Sequence, residues 1–306
     1  EVEYFQYVPE LSSYLDENIP EIVCFSNYVW NSRLSCEVAR RIKIRSPETI
    51  VIFGGPTYPV KAEEQKEWLL SHPVIDFYIY REGEKPFTEL CERLLDYDLD
   101  VEKFKQDRIK IPNCHYIANG EFVSGEDNPA SRECLDWIPS PYLSGLLDKA
   151  LSQGLIPVIQ TKRGCPFKCT FCESGANFYN LTSSFSFERI RDELEYIGER
   201  SRGSTLMLAD LNFGMYKEDF EVCKVIGHLQ KVKGWPHYVQ SFAGKNNKER
   251  VMKAAALVQN PLFLASVQTT DPVILKNIKR QNVSQDVATK IAREVEAMGG
   301  NSTSEL

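Results

Sequence analysis

The stretch Arg163-Gly164-Cys165-Pro166-Phe167-Lys168-Cys169-Thr170-Phe171-Cys172 puts three cysteines in one short loop, spaced C-x3-C-x2-C. It follows an apolar run over 157–161 that reads as a strand. Beyond it, strands are predicted over 205–209, 237–242, 262–268 and 302–306. Helical patterns lie between them over 187–200, 217–232, 247–258 and 284–298. Four strand–helix units and the start of a fifth predict a partial (β/α) barrel over 151–306, cut short at its C-terminus. Such barrels carry their chemistry at the C-terminal strand ends, so the cysteine loop stands where an active-site loop belongs.

Upstream, residues 1–100 alternate short apolar runs with helical stretches. Strands are predicted over 2–8, 22–26, 50–53 and 75–80, with helices over 33–44, 62–70 and 85–95. This is the pattern of an α/β, doubly wound parallel sheet. Residues 101–150 change character. Asn119-Gly120 between two short apolar runs is a hairpin turn signal. Pro139-Ser140-Pro141-Tyr142 then reads as a linker between domains.

The 306 residues carry 36 Lys and Arg against 43 Asp and Glu, a net charge of −7, so the overall balance shows no footprint for nucleic acid. A hydrophobic fraction of 42% excludes a disordered or collagen-like chain. Nine cysteines are odd in number and too few for a disulfide scaffold at this length. No apolar run approaches the ~18–20 residues of a membrane span, and no membrane partner is predicted. The start lacks Met and any signal-peptide pattern. The chain is therefore read as cytoplasmic with reduced thiols, and as cut inside a domain at both ends.

Three thiolates in one loop can hold three irons of a [4Fe–4S] cluster, leaving the fourth open. The competing reading is a structural zinc loop, but zinc takes four ligands in a closed site. The next cysteine is Cys223 and the nearest downstream histidine is His228. Unrelated core cysteines are the third reading.

The cysteine spacing, Gly164 before it and Phe171 before its last cysteine resemble the cluster motif of radical S-adenosylmethionine (SAM) enzymes. The resemblance implies a [4Fe–4S] cluster on Cys165, Cys169 and Cys172. It implies SAM on the open iron, cleaved to a 5′-deoxyadenosyl radical, with Phe171 against the adenine. Asp210, Asn212, Ser241, Ser266 and Gln268, near later strand ends, are the implied SAM contacts. In many family members two adjacent acidic residues stand where this chain has Asp210-Leu211. Asp271 before Pro272 reads as a helix cap.

Three strand ends of the first domain resemble the cobalamin-binding domain that precedes many radical SAM enzymes. The implied cobalamin contacts are Ser26, Asn27, Tyr28 and Trp30 in the first loop. Gly54, Gly55, Pro56 and Thr57 follow in the second, and Glu82, Gly83 and Glu84 in the third. Tyr28 stands where a leucine is common. The Asp-x-His-x-x-Gly motif that supplies cobalt with a histidine in some cobalamin domains is not among the contexts of His72, His115, His228 and His237.

The resemblance thus implies a cobalamin-dependent radical SAM enzyme, with methyl transfer to an unactivated carbon as its leading activity. Its partners would be a small-molecule or peptide substrate and an electron donor such as a flavodoxin or ferredoxin. Rearrangement, cyclisation or oxidation without methylation is the enzymatic alternative. A cobalamin-sensing module with a degenerate barrel is the non-enzymatic one. A methylthiotransferase would need a second cluster, but Cys24, Cys36 and Cys91 fall on separate predicted elements.

Overall fold

In a computed structural model, residues 2–127, 133–244, 247–264, 267–282, 285–297, 299 and 301–303 are described. The chain divides into two compact units, Glu1–Pro129 and Ala130–Leu306.

The first unit runs α1 (Val8–Glu17), β1 (Ile22–Ser26), α2 (Ser32–Arg45), β2 (Ile50–Gly54), α3 (Ala62–Ser71) and β3 (Phe77–Ile79). It continues with α4 (Glu84–Asp96), α5 (Val101–Gln106), β4 (Cys114–Ala118) and β5 (Glu121–Ser124). The sheet order is β1-β2-β3-β4-β5, with the first three strands parallel and the last two antiparallel. The apolar run of β2 explains its interior place. Ile50 and Ile52 pack with Leu90 and Leu94 of α4 and Phe104 of α5. Val51 and Phe53 pack with Ala39 of α2 and Leu69 of α3. A strand buried on both faces reads as a continuous apolar run, because successive side chains alternate. Each such side chain contributes about 1.5–3 kcal/mol of burial.

Two expectations change here. Residues 2–7 form no strand, and the chain enters α1 at Val8 with Pro9 in its first turn. Proline lacks an N–H and its fixed φ suits a helix start, whereas in a strand it removes a ladder bond. The hairpin predicted within a linker instead extends the first sheet, because β4 pairs with β3 through Tyr78–His115 and Ile79–Cys114. The first unit therefore reaches well past residue 100.

The second unit contains α6 (Asp148–Ser152), β6 (Val158–Ile159), β7 (Lys162–Arg163), β8 (Ser183–Ser184), α7 (Phe187–Arg200) and β9 (Thr205–Phe213). It goes on with α8 (Glu218–Lys233), β10 (Tyr238–Ala243), α9 (Lys248–Ala255), β11 (Pro261–Leu264), α10 (Pro272–Asn277), α11 (Gln285–Ala297) and β12 (Asn301–Thr303). Five strands pair in parallel in the order β6-β9-β10-β11-β12, an arc of a (β/α) barrel. Ser186 caps α7 by accepting from the Arg189 N–H at 3.2 Å, and Ile190, Leu194 and Ile197 form its buried stripe. These three pack with Leu206 and Leu208 of β9 and with Val222 and Ile226 of α8. Of the strand predicted over 157–161, only Val158 and Ile159 form one, and a second short strand follows it. β6 joins the large sheet, and β7 leaves it to pair antiparallel with β8. The last strand begins at Asn301, and residues 304–306 lie outside those described. Among the described residues, no helix is long and apolar enough to cross a membrane.

Candidate functional site

The cysteine loop leaves β7 through Gly164. Its φ of 99° lies in the left-handed region, and a Cβ there would collide with the Leu181 carbonyl. Glycine is therefore required for the backbone approach. The next residue is held by a Cys165 N–H to Tyr179 O bond of 2.8 Å, and Cys172 N donates to Cys169 O at 3.2 Å. Thr170 N donates to Ile278 O at 3.1 Å, tying the loop to the turn after α10. Cys165 and Cys169 are buried and Cys172 is exposed. Among the described residues, no group of three His, Cys, Asp or Glu side chains is gathered as a metal site.

The donor set nevertheless fits a cluster. Asn212 of β9, 4% exposed, donates from Nδ2 to Cys165 Sγ at 3.3 Å. Among the described residues, its Oδ1 and the hydroxyl of fully buried Ser241 on β10 have no hydrogen-bond partner. Buried polar atoms seldom go unpaired, and two of them at strand ends suit a polar ligand. Phe171 is half exposed, with the buried Arg280 guanidinium 6.0 Å from its ring centroid. Gln268 is half-buried with φ 68°. Ser266 lies outside the described residues. Asp271 caps α10, accepting from Val273 N and Ile274 N at 2.8 and 3.0 Å.

Asp210, named above as an implied SAM contact, is held by Thr161. Both of its oxygens accept from Thr161, one from the backbone N–H at 2.6 Å and one from the hydroxyl. Burial pushes its carboxyl up to about 6, partly offset by the Thr161 bonds. Beside it, Lys162 Nζ pairs with fully buried Asp219, which also accepts from Tyr216 N at 3.0 Å. The same ammonium sits 5.1 Å from the Tyr216 ring centroid. Thr161, Lys162, Asp219 and Arg280 were not picked out from the sequence. Lys162 and Arg163 directly before the glycine were the available signal. Asp219 in the first turn of α8 looks like ordinary helix-end charge.

In the first unit, the register Ser26–Gly54 and Gly54–Ile79 sets three strand ends side by side. Asn27, fully buried, donates to Thr57 O at 2.5 Å and Tyr78 Oη at 3.0 Å. Among the described residues its Oδ1 is unpartnered. Gly55 has φ 134°, and a Cβ on it would lie 2.7 Å from Asn27 O. Tyr78 Oη donates to Gly55 O at 2.8 Å. Asn31 donates to the Ser26 hydroxyl at 3.1 Å and accepts from Tyr28 N at 2.7 Å. Tyr28 and Trp30 stack 4.6 Å apart at the surface. Pro56 O accepts from Tyr58 N at 2.9 Å. Glu82 lies in the turn before α4, Gly83 is its N-cap and Glu84 its first residue. These loops thus meet at one sheet edge, the place where open α/β sheets bind ligands. Cys24, Cys36 and Cys91 sit on β1, α2 and α4 and share no loop.

Residues 159–304 match the Radical SAM superfamily. That stretch of the second unit thus carries a Radical SAM domain. The chain's similarity to a named cobalamin-dependent member of that superfamily runs through both units. That relative is the cobalamin-dependent radical SAM methyltransferase TokK of Streptomyces tokunonensis, 30% identical over 94% of this chain and 42% of its own length. The 2-(S-pantetheinyl)-carbapenam-3-carboxylate methyltransferase of Streptantibioticus cattleyicolor is 29% identical over 89% of this chain and 40% of its own length. The chain thus spans about two fifths of these curated relatives.

Two solved folds are alike. The cobalamin-dependent SAM radical enzyme OxsB aligns with TM-score 0.68 and 17% identity, over 96% of this chain and 42% of that one. The methyltransferase TsrM of Kitasatospora setae aligns with TM-score 0.69 and 14% identity, over 97% and 58%.

Proposed function

We propose that this chain is the cofactor-binding part of a cobalamin-dependent radical SAM methyltransferase acting on a small-molecule substrate. The observation that carries this is the C-x3-C-x2-C loop beside the end of β9, with Asn212 donating to Cys165. The similarity to TokK across both units supports it.

Cys165, Cys169 and Cys172 would hold three irons of a [4Fe–4S] cluster, and the open iron would take SAM. When bound, the cluster supplies the electron that cleaves SAM, and cobalamin carries the methyl group. The chain's own residues bind and orient. Phe171 offers a half-exposed aromatic face for the adenine, Asn212, Ser241 and Gln268 offer polar groups near strand ends, and Ser266 stays a contact implied by the sequence alone. In the first unit, Gly55 packs against the Asn27 backbone, and Ser26, Tyr28, Trp30, Gly54, Pro56, Thr57, Glu82, Gly83 and Glu84 are the neighbouring loop residues that would hold cobalamin. An electron donor of the flavodoxin or ferredoxin type would supply the reducing electron.

The test is anaerobic reconstitution with iron, sulfide and hydroxocobalamin. Broad absorbance near ~400 nm is expected, as for Cys-ligated clusters. Turnover should give 5′-deoxyadenosine together with S-adenosylhomocysteine. Full iron content in Cys165→Ala, Cys169→Ala and Cys172→Ala would overturn the cluster assignment. Deoxyadenosine without S-adenosylhomocysteine would overturn methyl transfer.

A further inference from the structure

Asn212 stands apart from the other polar residues of the second unit. It is buried, and among the described residues Cys165 Sγ is its side chain's sole hydrogen-bond partner. A neutral thiol is a weak acceptor. An anionic sulfur is a strong one, because charge-assisted bonds are roughly twice as strong. An amide N–H turned to a sulfur, with its own carbonyl left unpaired, suits a sulfur that carries negative charge.

The placement is held from both sides. Two residues before Asn212 on β9, Asp210 is clamped to Thr161, and the next residue, Lys162, is paired with buried Asp219. The first pair of bonds fixes the loop-feeding segment against β9, and the ion pair fixes it against α8. On the far side, Gly244 N donates to Phe213 O at 2.9 Å. The Asn212–Cys165 bond therefore joins two anchored backbones.

From this we infer that Asn212 is a positioning residue that tunes the reduction potential of the cluster through its N–H to the Cys165 sulfur. The inference rests on the cluster reading above. One-electron reduction places added negative charge on the cluster and its sulfur ligands. A donor aimed at one of those sulfurs stabilises the reduced form, and hydrogen bonds to sulfur are among the determinants of cluster potential. Removing the donor makes the electron harder to add.

The experiment compares wild type, Asn212→Leu and Asn212→Asp, each reconstituted anaerobically without SAM. Leaving SAM out removes any contribution from a contact between Asn212 and that ligand. Iron and sulfide are counted, circular dichroism checks the fold, and the cluster is titrated with dithionite while the reduced signal is followed by electron paramagnetic resonance. Asn212→Leu is expected to make reduction about tenfold less favourable, a potential ~59 mV more negative for one electron. Asn212→Asp is near-isosteric, lacks the donor and adds negative charge, so its shift should be in the same direction and larger. A wild-type potential in either variant at wild-type iron content overturns the inference. So does a pair of folded variants that take up no iron, since the residue would then serve assembly rather than tuning. Failure of the wild type itself to take up a cluster would instead overturn the cluster reading.

Discussion

The backbone N–H of Thr161 lies 2.6 Å from Asp210 Oδ1, and the Thr161 hydroxyl bonds the other oxygen of the same carboxylate. A buried acid thus laces β9 to the segment that leads into the cysteine loop. Its carboxyl, raised by burial from 3.8 to about 6, binds a proton more tightly in the folded than in the unfolded chain. The folded state then holds more protons between those two values, so this group's contribution is full below about pH 4 and is lost as pH rises through about 6. Asp210→Asn can keep both bonds, because its oxygen accepts the N–H and its amide donates to the hydroxyl. Urea midpoints measured from pH 4 to pH 7 should show this decline in the wild type and a flatter profile in the variant.

His115 should act with the opposite sign in the first unit. Burial lowers its pKa from 6.5 to about 4, and its Nδ1 lies 3.2 Å from Tyr58 Oη. The unfolded chain binds the proton first, so the contribution is present above 6.5 and disappears as pH falls through about 4. His115→Phe fills the space without titrating. Relative to the variant, the wild type should lose stability on acidification from pH 7 to pH 4 in the same urea titration.

Lys162→Met would leave Asp219 as an uncompensated buried charge. The two side chains are 9% and 0% exposed, and breaking such a pair from one side costs about 3–5 kcal/mol. Adding Asp219→Asn should restore part of that loss, since the remaining amide carries no charge. Equilibrium denaturation of the two single variants and the double variant measures the coupling. Additive losses would show that the pair is not a unit.

Gly55→Ala tests the sheet edge of the first unit. The backbone at φ 134° and the 2.7 Å approach to Asn27 O leave no room for a methyl group. Strain of this kind costs about 1–3 kcal/mol. The variant should unfold at lower urea and bind hydroxocobalamin more weakly, whereas Gly120→Ala, which meets nothing within 4 Å, should leave cobalamin binding unchanged.

The sequence carried the cysteine loop, the three strand-end loops of the first unit and most helices, because each rests on a local signal. The spans of α7, α8 and α11 follow from periodicity and from caps such as Ser186. Residues 2–8 were misleading, because alternating Val, Tyr and Phe resemble a strand until Pro9 turns the chain into α1. The hairpin was visible as a turn, but its pairing to β3 is a long-range choice that no local pattern encodes. The Asp210–Thr161 and Lys162–Asp219 bonds were illegible for the same reason: each joins residues about 50 or more positions apart.

The bond from Thr170 N to Ile278 O also sets an order of events during synthesis. The three thiols leave the ribosome roughly a hundred residues before their partner segment is made. At about 5–20 residues per second, they wait on the order of 5–20 seconds without the contact that closes the loop. During that interval the nascent chain offers three neighbouring reduced thiols to any passing oxidant or stray metal. Timely delivery of iron and sulfide, rather than affinity alone, would then decide how much of the newly made protein is ever competent.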